Sequence, residues 1–222
     1  MPCNFTHAHY AEILRAARKR GYQIKPLREH ACSDSHVLFV RHDVDWTVEP
    51  ALRMAEFEHK LDHQTSYFIR VHAPAYNPFS FKNYLALNQI LDMGHEVALQ
   101  FECLDVAHLS GEDPGKILRR EIQVLESILG QKIQGIAAHR GFSGFDNDRF
   151  EFKPSEYGLQ YEARRASAGS AFISDSMKRW PRTNGQCFCK TLEQESLPPR
   201  IFLLIHPDFW YEKSYYAYER VV

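Results

Sequence analysis

Six short apolar runs punctuate the chain, and polar or charged side chains follow almost every one of them. HVLFV (36–40) leads into RHDVD, TSYFIR (65–70) ends on an arginine, and HEVALQF (95–101) leads into Glu102. KIQGIAAH (132–139) ends on a histidine before Arg140, AFISD (171–175) ends on an aspartate, and IFLLIHP (201–207) carries His206. Between these runs lie segments with apolar residues at helical spacing. His9–Arg20 places Tyr10, Ile13, Leu14 and Ala17 on one face and stops at Gly21. Thr47 and Ser80 stand where they can cap helices bearing Met54, Phe57 and Leu61, and Tyr84, Leu87 and Leu91. Asp113-Pro114 opens a helix with Leu118, Ile122, Leu125 and Leu129 that closes at Gly130. Strands alternating with helices predict an α/β chain whose sheet is largely parallel. Near-continuous apolar strands predict burial on both faces. The stretch 142–170 is irregular and polar, and it reads as a long functional or capping loop.

A chain of 222 residues with 44% hydrophobic and 25% charged residues suits one domain spanning 1–222. Its 27 Lys+Arg balance 28 Asp+Glu, so no charge excess points to nucleic acid. No apolar stretch is long enough to cross a bilayer. MPCNFTHAHY lacks the basic and apolar regions of a secretory leader. Five scattered cysteines argue against a disulfide framework, and the expectation is a cytoplasmic protein. Nothing in the sequence fixes an oligomeric state.

In parallel sheets with helical crossovers, active sites gather beyond the carboxyl ends of the strands. The polar residues there are Arg41, His42, Asp43 and Asp45, then Gln100 and Glu102, then His139 and Arg140, then Asp175, then His206 and Asp208. In extended backbone Asp43 and Asp45 point the same way. Two such carboxylates require a cation between them, whether a metal, an arginine or a protonated partner. Either could instead cap the following helix, and His206 alone could be a core histidine. Their convergence favours a site, in which His206 serves as acid or base and Arg140 holds a carboxylate. Cys103 near a strand end is a weaker candidate, a possible nucleophile with no supporting signature.

RHDVDWTVEPALRMAEFE, GHEVALQFE, AAHRG, ISDS…RW and LLIHPDFW resemble, in order and spacing, the motif series of the carbohydrate esterase family 4 (NodB-like) polysaccharide deacetylases, nearest to a branch whose first motif reads HDVD. The resemblance runs from Phe39 to Trp210. It implies a distorted, incomplete (β/α) barrel and hydrolysis of a non-peptide C–N bond, N-deacetylation of a sugar or saccharide precursor. It implies Asp43 as catalytic base, Arg140 as its tether and His206 as general acid. Asp45 is implied as a metal ligand, usually to zinc or another divalent ion. Trp180 and Trp210 are implied on a saccharide groove, with His139 and Asp175 also assigned to substrate binding.

The sequence departs from the family at the second motif, where Gln100 and Leu104 stand in place of two histidine ligands. Three outcomes follow. Glu102 and Gln100 hold the metal with Asp45, with His139 or His108 nearby; the site works without metal; or the chain binds carbohydrate without cleaving it. The expected partner is a saccharide or small amide, with no nucleic acid and no membrane.

Overall fold

The apolar runs become the strands of one parallel sheet. The computed structural model describes residues 3–140, 146–194 and 196–212. Strands β1 (Gln23–Lys25), β2 (Val37–Val44), β3 (Ser66–Ile69), β4 (Glu96–Phe101), β5 (Gly135–Ala138), β6 (Tyr161–Glu162), β7 (Ala171–Ser174) and β8 (Arg200–Ile205) form an 8-stranded sheet. The order is β6-β5-β4-β3-β2-β8-β7, with β1 beside the start of β2, and every pair is parallel. The helices are α1 (His7–Lys19), α2 (Val48–Lys60), α3 (Phe81–Asp92), α4 (Cys103–Ser110), α5 (Pro114–Leu129), α6 (Ala163–Ala166) and α7 (Phe188–Thr191). The sheet curls into a half-barrel with helices outside, the incomplete (β/α) barrel anticipated above. Among the described residues no helix is long and apolar enough to cross a membrane.

The strand period of two divides the core. On β2, Val37 and Phe39 face inward and join Phe68, Ala98, Ala137, Tyr161 and Phe202 in the barrel interior. Leu38 and Val40 face outward and pack with Tyr10, Ile13, Leu14 and Met54 of α1 and α2. The remaining strands bury their outer faces against α2, α3 and α5. The floor of the barrel is polar but satisfied. Glu96 accepts from Ser66 Oγ (2.5 Å), Tyr161 Oη (2.7 Å) and the Arg28 amide (2.9 Å). Gly135 is required beside it, since a Cβ there would lie 2.0 Å from Tyr161 Cζ.

Five elements are absent from the sequence reading: β1 and α7, β6 and α6 inside the stretch 142–170, and α4 after β4; residues 141–145 lie outside the described part. The side chains of Thr47 and Ser80 do not cap their helices. Instead Asp208 accepts from the Trp46 amide (3.3 Å) and Thr47 Oγ1 (2.8 Å), so the anion at the α2 N-terminus comes from after β8.

His42 alternates with the inward Asp43 and so points outward, into a buried carboxylate. Glu58 of α2 is fully buried and accepts from Tyr10 Oη (2.5 Å), His42 Nε2 (2.9 Å), Thr65 Oγ1 (2.7 Å) and Tyr67 Oη (2.6 Å). Burial alone would push the Glu58 carboxyl up; the His42 imidazole beside it and the surrounding donors hold it down at about 2. Glu58→Ala strands four buried donors and should cost about 3–5 kcal/mol in denaturant unfolding at neutral pH. The folded-state pKa lies below the ordinary 4.5, so this stabilisation is present above pH 4.5 and is lost as pH falls toward 2. The alanine variant should show a flatter acid limb in a pH series of melts.

Candidate active site

Strand register assembles the polar strand ends into one cluster. Asp43 pairs with Phe68, and Val44 with Ile69, so Asp45 stands beside Arg70 one step beyond β3. Ile69 pairs with Leu99, which sets Arg70 beside Gln100. Phe101 pairs with Ala138, setting Glu102 beside His139, and His42 pairs with Ile205, setting Asp43 beside His206. Residues up to 163 positions apart thus meet at the carboxyl end of the sheet, because parallel register repeats the same depth on each strand.

Asp43 is buried and fully engaged. Arg41, two residues earlier on the same face, donates to it from Nε (2.6 Å) and from an Nη (2.9 Å). Gln100 Nε2 donates to the same carboxylate at 3.1 Å. A fork–fork pair of this kind fixes the position and orientation of the carboxylate.

Asp45 has the opposite surroundings. Its Oδ1 is buried and, among the described residues, accepts no hydrogen bond. His139 Nε2 stands 3.9 Å from Oδ1 and His206 Nε2 stands 3.8 Å from Oδ2, beyond hydrogen-bond reach. Burial, and then the neighbouring Asp43 charge, raise the Asp45 pKa above the ordinary carboxylate value.

His206 is aimed at Asp45 by Asp175. The Asp175 carboxylate is fully buried and accepts from His206 Nδ1 (2.6 Å), from the His206 amide (3.1 Å) and from Trp210 Nε1 (2.8 Å). Donation from Nδ1 leaves Nε2 facing the cluster. Burial disfavours the imidazolium, but the Asp175 hydrogen bond and the charges of Asp175, Asp43 and Asp45 outweigh it and lift the pKa to about 9. His206 therefore carries a proton at neutral pH.

Glu102 is buried in a bidentate pair with Arg70, at 3.1 Å from Nε and 2.6 Å from an Nη, and His139 Nδ1 lies 3.0 Å away. Burial raises its pKa, yet His139 and Arg70 bring it down to about 2. Arg70 also donates to the Asp45 carbonyl at 3.2 Å, tying the ends of β2, β3 and β4 together.

These contacts bear on the metal that the resemblance implies. Both Glu102 oxygens are taken by a guanidinium, and Gln100 offers a neutral amide oxygen where the family places imidazole. Asp45, His139 and His206 do not bring one donor atom each within 4.8 Å of one another. The set Asp45, Gln100 and Glu102 does not fit a zinc ion.

Other expectations are corrected. Arg140 is exposed and shows no contact with Asp43; Arg41 holds that carboxylate instead. Trp180 and Trp210 are buried in the core against α1, so neither lines an open groove. Asp175 is sealed from substrate and orients His206. Burial raises the Cys103 thiol well above its ordinary value, which removes it as a nucleophile. His108 sits exposed on the last turn of α4. Two residues were passed over. Arg70 closes its apolar run as visibly as His139 does. Trp46 is 52% exposed directly after Asp45, and the ring that packs on the cluster is Phe209, 5.1 Å from the His206 imidazole. A cavity of about 320 Å³ lies elsewhere, lined by Phe101, Phe150, Phe152 and Arg165 among others.

No family model matches the chain, and no curated protein matches it in sequence. Solved structures match it in fold. The chitin deacetylase of the fungal pathogen Colletotrichum lindemuthianum superposes with a TM-score of 0.53 at 15% identity, over 84% of this chain and 77% of that one. A mutant of a Bacillus anthracis CE4 family pseudoenzyme, with restored enzymatic activity, gives 0.50 at 13% identity over 79% of this chain. This chain spans 57% of that protein's length. The likeness shows that the chain shares the fold of these structures.

The Asp175–His206 pair makes a direct prediction. Asp175→Asn should return the His206 pKa from about 9 toward the ordinary 6.5, read by imidazole NMR titration.

Proposed function

We propose, from the CE4-type fold and the facing Asp45–His206 pair, that the chain hydrolyses a C–N amide bond, removing an N-acetyl group from a sugar or saccharide precursor. One observation carries this reading. A carboxylate with a free oxygen and a raised pKa faces a protonated imidazole locked by a buried aspartate. Asp45 is the better base of the acidic pair, because Arg41 and Gln100 occupy Asp43.

In this mechanism Asp45 Oδ1 takes a proton from water as its oxygen attacks the acetamide carbonyl. His206 donates its Nε2 proton to the amide nitrogen as the C–N bond breaks. Acetate and a free amine leave. Asp43 and Arg41 fix the end of β2, while Arg70 and Glu102 hold the Asp45 backbone. Trp46 offers an apolar face on which a sugar ring can stack.

A second reading is favoured by a different observation. With Gln100 on β4 and Glu102 paired with Arg70, the usual ligand set is missing, which supports a deacetylase-like protein that binds carbohydrate without cleaving it.

Incubation with N-acetylated chito-oligosaccharides, with and without divalent metals, separates the two. Hydrolysis predicts acetate release that drops at least ~10²-fold in kcat for Asp45→Asn and for His206→Ala, with KM little changed. The rate should fall as pH rises through about 9, where His206 loses its proton. Trp46→Ala should raise KM about tenfold while sparing kcat. Saccharide binding without acetate under every condition would leave the second reading.

A further inference from the structure

A second cluster of reactive side chains lies behind Trp210, outside the candidate active site. Cys3, His9 and Cys187 bring one donor atom each within 4.8 Å of one another. His9 Nε2 is 3.2 Å from Cys187 Sγ. We propose that these three residues form a binding site for a thiophilic divalent ion, zinc foremost.

Three features support a ligand site over incidental packing. First, Glu12 Oε2 lies 3.0 Å from His9 Nδ1. A carboxylate on the far nitrogen fixes the tautomer and turns the Nε2 lone pair toward the sulfurs, the arrangement found behind metal-bound histidines. Second, the backbone is bent to bring Cys3 in. Phe5 adopts φ 50°, a left-handed conformation that costs a non-glycine residue on the order of 1–3 kcal/mol. Asn4 Oδ1 closes this bend by accepting from the Thr6 amide (3.1 Å) and Thr6 Oγ1 (2.9 Å). Backbone bonds from His7 N to Tyr211 O and from Tyr211 N to Phe5 O, both 2.9 Å, clamp it to the end of the barrel. Third, Thr6 caps α1 and places His9 in the first turn, while Cys187 is the residue before α7. The ion would join segments 178 residues apart, as cross-links by structural metals do.

Two thiolates and one imidazole favour a soft or borderline ion over magnesium or calcium. Cys187 is buried, whereas Cys3 and His9 are half-buried, so an ion has a route in. The fourth position falls to water. The His9 ring stacks on Trp210 at 6.5 Å, and Trp210 donates to Asp175, so the site braces the residue that holds His206 without touching the acidic cluster.

The test uses the full chain, purified under reducing conditions without chelator. Elemental analysis should find about one zinc per chain. Cobalt substitution of the unaltered chain should give thiolate-to-metal charge transfer and intense tetrahedral visible bands, a readout independent of any variant's folding. Cys3→Ser, Cys187→Ser and His9→Gln should each lower zinc affinity at least ~10-fold. Cys189→Ser and Asp45→Asn should retain it. The proposal is overturned if the reduced chain takes up neither zinc nor cobalt, if both serine variants bind as the parent does, or if Asp45→Asn alone abolishes uptake. Metal content and acetate release are separate readouts, so failure of one leaves the other standing.

Discussion

The buried Glu58 carboxylate is the interaction on which the rest of the architecture depends. It sits on α2 and gathers donors from α1 (Tyr10), β2 (His42), the residue before β3 (Thr65) and β3 itself (Tyr67). A carboxylate removed from water is costly unless its lone pairs are satisfied, and four directed donors satisfy it in one arrangement only. Helices α1 and α2 are thereby held at fixed rotation over the sheet, which hydrophobic packing alone does not specify.

The same strand transmits that order to the candidate site. Because side chains alternate, anchoring His42 outward obliges Arg41 and Asp43 to face inward, and a slip of one residue would exchange them. The inward residues then give the acidic side chains different partners. Arg41 pairs with Asp43, and Arg70 pairs with both oxygens of Glu102. Among the described residues of the cluster, Asp45 keeps a buried oxygen that accepts no hydrogen bond, and it faces an imidazole that Asp175 keeps protonated. Two aspartates of identical chemistry acquire opposite properties from their neighbours, one clamped and one available.

The chain shares a fold with deacetylases but not their second motif. Where imidazoles are expected on β4, an amide turns to Asp43 and a glutamate turns to an arginine from β3. Fold and site are separable in this way because the barrel rests on its inward apolar layers and the outer helices, neither of which involves the strand ends. The neighbouring Cys3–His9–Cys187 cluster shows the same separation, since its ligands come from segments flanking the sheet.

The sequence by itself determined the six main strands and the four main helices that alternate with them, and that polar strand ends would gather at one end of the sheet. Those readings depend on local periodicity and on the depth that parallel register shares between strands. It also pointed to Asp43, Asp45 and His206, because acids and a histidine directly after apolar runs are conspicuous. Only the tertiary structure decided the pairings. Arg41 and Arg140 both follow apolar runs, yet one is clamped to Asp43 and the other is exposed. Trp180 and Trp210 look like groove residues in sequence but fill the core, while Trp46 stands open. Short elements such as β6 and α4 escaped because they carry too few residues for a period to show. Which charge meets which, and which ring is buried, depends on curvature and on side chains arriving from strands distant in sequence, and no local pattern encodes that.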